Sequence, residues 1–364
     1  MSTRLEKMVR LLWPQSNKKP QDEMRAGKEK IFYGSEENFI RNGAWVLEDS
    51  ISLFHGRTNP IRHFSVDELN NLNVEYASIG YSGWYRGFWE GRIILVKMNG
   101  YYNYNEISRE IVVATQMATH NNVHKLLGCC LETISPVLVY EWVAADTLQD
   151  RILHRDENHY KLPVLEWKDR LRVAWEISHA VSYLHTAFPS PIVHRYLQPD
   201  NIFLDQDNTA KLSNFSLSVA IPEGEEFVVQ DFIVGTNGYM APEYLEDRKV
   251  AEYTDVYSFG MLFLVLLTGK HATFWTTSTG EGRMWTNLIE WVTKEFRKEG
   301  ISEIVDPAIT KSGVAITELS SSIELALRCT ATEENSRPTM VEVATELNDM
   351  IRSSKSIMSI NSAV

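Results

Sequence analysis

Between Phe64 and Val143 the chain is built of short β-branched runs, and beyond Val143 it turns helical; that change of period constrains its fold most. Ile93-Ile94-Leu95-Val96 is a compact apolar run bounded by glycines at 87, 91 and 100, which reads as a strand of a small sheet. Val137–Tyr140 is a second strand, and Ile107–Met117 between them has helical character. Three longer helical stretches follow: Leu165–His185, Asp255–Leu267 and Leu319–Arg328. A chain of 364 residues is long for one compact core, so two packed lobes are expected. The expectation is an α+β, two-lobed fold. A leader over residues 1–63 precedes a β-rich N-lobe (64–142), a larger helical C-lobe (143–351) and a flexible Ser-rich tail (352–364).

The net charge of −12 argues against general nucleic-acid binding, because a polyanion is repelled unless a local basic patch compensates. Cys129, Cys130 and Cys329 lack metal-ligand spacing, and the adjacent pair lies in the apolar run LLGCCL, so buried structural thiols are expected. The amino terminus shows no secretory signal, Ser2 does not fit a myristoylation start, and the ending NSAV is no prenylation box. The most apolar run, Phe259–Leu267, is too short to span a bilayer, which needs about 20 residues. A cytoplasmic protein is expected. Leu5, Met8, Val9 and Leu12 fall at helical spacing, giving either a short docking helix or a frayed end.

The motifs that carry chemistry occur in a fixed order. They are LVK with Lys97, Glu110 in the next helix, LVYE (138–141), HRYLQPDN (194–201), SNFS (213–216), GTNGYMAPE (235–243), DVYSFG (255–260) and Arg337-Pro338. Over residues 64–351 this series resembles the eukaryotic protein kinases. The resemblance implies a vestigial ATP site at Lys97, Glu110 and Asn201. It also implies scaffold roles for His194, Arg195, Asp255 and the pair Glu243–Arg337.

Phosphoryl transfer needs a lysine–glutamate pair at the phosphates, carboxylate-held magnesium, and an aspartate to orient the hydroxyl. Lys97 and Glu110 fit the first requirement. At the aspartate position stands Tyr196, whose phenol, with a pKa of about 10, is no general base at neutral pH. Gln198 removes the loop lysine's charge, and Asn214 replaces the aspartate of the metal-binding triplet. Where a kinase has GxGxxGxV, this chain reads ASIGYSGWYRG; Gly80 and Gly83 are out of register, and Tyr81 and Trp84 crowd the site. An ordinary hairpin turn explains those glycines equally well. Catalysis is therefore expected to be negligible and no metal is expected, while Lys97–Glu110 leaves room for weak ATP binding without productive magnesium. The alternative is a weakly active or nucleotide-sensing serine/threonine kinase.

Details outside the core narrow the resemblance. FIRNGAWVLEDSISLFHGRTNPIRHFS (39–65), KLLGCCLE (125–132) and LEWKDRLRVA (165–174) look like plant receptor-like cytoplasmic kinases, close to the wall-associated type. With the HRY and NFS departures, the leader is most similar to the ZED-related pseudokinases of receptor-like cytoplasmic kinase class XII. That resemblance implies an immune adaptor. Its implied partners are a coiled-coil NLR receptor of ZAR type and a bacterial effector or an effector-modified cytoplasmic kinase, with peripheral plasma-membrane placement through the complex. Candidate contacts are the activation-segment acids Glu223, Glu225, Glu226 and Asp231 and, by residue type, the aromatics Trp84, Tyr101, Tyr102 and Tyr104. A solvated loop and core packing are the competing readings.

Overall fold

A computed structural model describes residues 31–57, 61–72, 74–77, 83–98, 104–143, 146–153, 164–278, 282–298, 300–311 and 314–361. The first helix of the described residues is α1 (Glu36–Phe54), whose N-cap Ser35 accepts from the Asn38 amide while Glu36 and Glu37 face the positive end of the helix. β1 (Arg62–His63) and the short α2 (Val66–Asn70), closed by a Ser65–Glu68 capping box, lead into the sheet. β2 (Glu75–Tyr76), β3 (Trp84–Trp89) and β4 (Arg92–Met98) form a meander, and α3 (Tyr104–Gln116) crosses to β5 (Leu126–Cys130) and β6 (Val137–Glu141). The six strands lie in the order β1-β5-β6-β4-β3-β2, with β1 parallel to β5 and the other pairs antiparallel. Gly128 permits the closeness of β1 to β5, since a Cβ there would lie 2.5 Å from the Arg62 carbonyl oxygen and from the Phe64 ring.

The lower lobe begins with β7 (Asp146–Thr147), α4 (Leu148–Ile152) and α5 (Trp167–Thr186). Short strands β8 (Ile192–Val193), β9 (Ile202–Leu204), β10 (Ala210–Leu212) and β11 (Val219–Ala220) carry the loops that face the upper lobe. β12 (Val228–Val229), α6 (Pro242–Asp247) and β13 (Lys249–Val250) precede α7 (Glu252–Thr268). The run from Phe259 to Leu267 in α7 is fully enclosed, as a core helix should be. A Cβ on Gly260 would sit 2.7 Å from the Cβ of Cys329, so its bare backbone lets α7 meet the next long helix closely. The remainder is a β14–β15 hairpin (Thr273–Ser278, Gly282–Asn287) and α8 (Leu288–Lys298), α9 (Pro307–Thr310), α10 (Ile316–Cys329) and α11 (Met340–Asn361).

Two expected boundaries differ from the structure. The leader is stitched into the N-lobe: Asn42 Nδ2 donates to the Leu131 and Thr133 carbonyls at 2.7 and 2.9 Å, and Leu53 and Phe54 join the main core. The expected loose tail from 352 is helical to Asn361, because α11 simply continues. The possible helix over Leu5–Leu12 lies outside the described residues. No described helix is long and apolar enough to cross a membrane. The three thiols are buried, and burial pushes Cys129 and Cys329 up to about 12 and Cys130 up to about 11.

Candidate functional site: a two-lobed cleft with neutral amides

The cleft between the lobes opens into a cavity of about 600 Å³ whose lining includes Trp84, Lys97, Glu110, Tyr196, Asn201 and Asn214. Lys97 projects from β4 and Glu110 from α3. Their Nζ and Oε1 are 4.0 Å apart, beyond hydrogen-bonding distance. Glu110 Oε1 instead accepts from the Tyr140 hydroxyl at 2.5 Å, while its buried Oε2 has no hydrogen-bond partner. Its burial, and then the Glu110 carboxylate beside it, hold the Tyr140 phenol well above its usual range, so it stays a donor.

In the lower lobe the loop 194–201 hangs on Asp255. Its carboxylate accepts from the His194 and Arg195 amides at 2.7 and 2.8 Å and contacts His185 Nε2 at 3.0 Å. These bonds hold Arg195 at φ 65°, a left-handed geometry unusual for a long side chain. His194 stacks edge-on against Phe215, and burial keeps its imidazole below its usual pKa and neutral. Tyr196, half-buried, and Gln198, buried, face the cavity.

Asn214 also takes a left-handed φ of 64°, a conformation asparagine tolerates. Its Nδ2 donates to Asn201 Oδ1 at 3.0 Å, and its Oδ1 accepts from the Ser216 hydroxyl at 2.8 Å. Asn201 Nδ2 in turn donates to the Tyr196 carbonyl at 2.8 Å. One bond thus joins the two amides, and Tyr196 and Ser216 satisfy their other ends. Magnesium wants carboxylate or carbonyl oxygens aimed at a common point, and here an N–H occupies the face Asn201 would offer. These residues do not fit a catalytic magnesium. No cluster of three or more His, Cys, Asp or Glu suited to a metal occurs among the described residues.

Trp84, a candidate anchor by residue type with core packing as the competing reading, is 5% exposed and takes the second course. It faces inward because it stands directly opposite Lys97 in the β3–β4 ladder, and opposed residues share a face. Tyr101, Tyr102, Gly80 and Tyr81 lie outside the described residues, as does the Tyr104 side chain.

The segment from Ser213 to Glu243 runs over the front of the lower lobe. Arg195 donates to the Leu217 carbonyl at 3.1 Å, to Gln230 Oε1 at 2.9 Å and to the Tyr244 hydroxyl at 2.7 Å, tying segment to loop. At its far end Arg337 forms a two-pronged pair with Glu243 at 2.9 and 2.8 Å, both side chains buried. Glu223, Glu225 and Glu226 are exposed. So are Phe227, Val229, Phe232, Ile233 and Val234, apolar neighbours that the sequence reading passed over. Two apolar triplets, Phe227–Val229 and Phe232–Val234, each directly after an acid in an otherwise polar stretch, are the signal that would have found them.

The fold and this cleft define a kinase-shaped protein with neutral side chains at the positions that handle the metal and the proton. The family model described as protein kinase domain matches residues 92–347, more than half of the chain. The non-functional pseudokinase ZED1 of Arabidopsis thaliana is 39% identical over 325 residues, covering 85% of this chain and 94% of that protein. The non-functional pseudokinase ZRK2 of the same plant is 35% identical over 345 residues, covering 90% and 93%. A relative named as a serine/threonine-protein kinase, ZRK1, is 36% identical over 337 residues, covering 87% and 93%. The chain belongs to the protein kinase family, in its ZED-related pseudokinase branch.

Proposed function

We propose that this chain is a catalytically deficient kinase-like adaptor of plant innate immunity. It associates with a coiled-coil NLR receptor of ZAR type and senses a bacterial effector or an effector-modified cytoplasmic kinase. The observation that carries this reading is the contrast between the two halves of the cleft machinery. Asn214 is bonded to Asn201 where metal chemistry would need a carboxylate, whereas Asp255 holds the His194 and Arg195 amides and Glu243 holds Arg337 in a buried two-pronged pair. Tyr196 and Gln198 lack the base and the charge of the transfer step. A scaffold maintained around a disabled centre suits recognition.

The activation segment supplies a surface for the sensed partner. Exposed Glu223, Glu225 and Glu226 lie on the same segment as exposed Phe227 and Phe232, so it offers both acidic and apolar contacts. A face of the N-lobe is assigned to the receptor's repeats. Co-precipitation with a ZAR-type receptor, with and without candidate effectors and modified kinases, tests the reading. Capture is expected, and absence of association in every condition overturns it.

A further inference from the structure

We propose that Trp84 is a built-in occupant of the cleft's base-binding slot, so that the chain takes no purine nucleotide while this indole is in place. The slot is the space between the underside of the upper sheet and the floor contributed by β9. From above, Trp84 and Lys97 descend side by side, with Lys97 Nζ 5.7 Å from the indole centroid. From below rises Phe203, whose ring lies 5.3 Å from that of Trp84 at 82°. At the back stand Tyr140 and His124, with ring centroids 5.4 and 5.8 Å from the indole. All four rings are buried, at 0–5% exposure.

These separations decide the matter. A flat ring inserted between two surfaces needs a contact distance of about 3.5–4 Å on each side, hence about 7–8 Å in all. Trp84 and Phe203 are already in direct edge-to-face contact, with no layer left between them. The cavity that remains begins beside the indole and extends toward Tyr196 and Thr236, so it reaches the phosphate end and not the base end. Its lining carries three carboxylates, Glu106, Glu110 and Asp200, against the single ammonium of Lys97. A polyphosphate entering without a metal meets net repulsion there. Base and phosphates are thus refused for separate reasons, of which only the first is lodged in one side chain.

The inference concerns the cleft alone, and a failure of receptor capture leaves it untouched. Adenosine and ATP, each with and without magnesium, are titrated against the full chain and the variants Trp84→Val and Trp84→Leu, with Tm as readout. The wild type is expected to show no shift at about 1 mM ligand. Trp84→Val is expected to gain a metal-independent rise of several degrees with saturating adenosine. Trp84→Leu empties the same slot with a smaller loss of packing and is expected to gain it too, which covers the case in which one variant fails to fold. A wild type that responds to adenosine overturns the proposal. So does either variant if it is folded by circular dichroism, melts cooperatively and remains silent.

Discussion

Asn214 donates to Asn201 across 3.0 Å at the point where a kinase would gather oxygens around magnesium. The bond makes the loss of metal chemistry a stable local arrangement, because each amide supplies the partner the other needs. The same bond is open to reversal. In Asn214→Asp the donor becomes a second acceptor facing Asn201 Oδ1, and the variant should lose about 1–3 kcal/mol of stability in metal-free buffer. Millimolar magnesium should restore part of that loss, since a cation between the two oxygens is what the new carboxylate invites. Thermal unfolding with EDTA and with magnesium chloride checks this; an Asn214→Asp chain as stable as the wild type in EDTA contradicts it.

The Glu243–Arg337 pair is buried and two-pronged, so removing one partner strands a charge. Arg337→Ala should cost about 3–5 kcal/mol in urea unfolding, and Glu243→Gln should also be costly. A cost below about 1 kcal/mol, the level of an exposed pair, would show that the pair does not lock the activation segment to the lower lobe.

Those two arrangements differ in how visible they were beforehand. The succession of Lys97, Glu110, Asp255, Glu243 and Arg337 was legible because each sits in a short motif of fixed order. The α+β lobes were legible because the hydrophobic period changes near Val143. For Trp84 the sequence left two readings open, a surface anchor by residue type and packing in the cleft, and the ladder opposite Lys97 decides for the second. Helix α1 was missed although Ser35 followed by Glu36 and Glu37 is a start signal, because the leader was treated as an appendage. The fully buried Arg170, bonded to Asp306 at 2.7 Å and to two carbonyls, had no motif to announce it. Long-range partners of that kind, 136 positions apart in the chain, follow from packing and not from local pattern.

Burial holds His124 neutral, with its pKa lowered to about 4. The unfolded chain therefore binds a proton there that the folded chain refuses. Its contribution to stability is complete above pH 6.5 and is lost as the pH falls from 6.5 toward 4, by up to about 1.4 kcal/mol per pH unit. His124→Phe keeps the ring against Tyr140 and should flatten that part of the stability–pH curve. Urea midpoints at pH 7 and pH 5 for both chains measure it; identical slopes contradict a neutral buried imidazole.

The exposed acids of the activation segment should matter for binding and not for folding. Replacing Glu223, Glu225 and Glu226 together by lysine should leave stability within about 0.5 kcal/mol per site. The same variant should abolish capture of the sensed partner while receptor association persists. Unchanged capture would move the sensing surface elsewhere.

The central claim is that this cleft does not transfer phosphate, and radiolabelled ATP tests it most directly. The full chain is incubated with γ-labelled ATP, with magnesium or manganese and a generic protein substrate, beside its Lys97→Met variant. The expected result is incorporation equal to that of the variant under every condition. Incorporation above that background, abolished by Lys97→Met, would contradict the account.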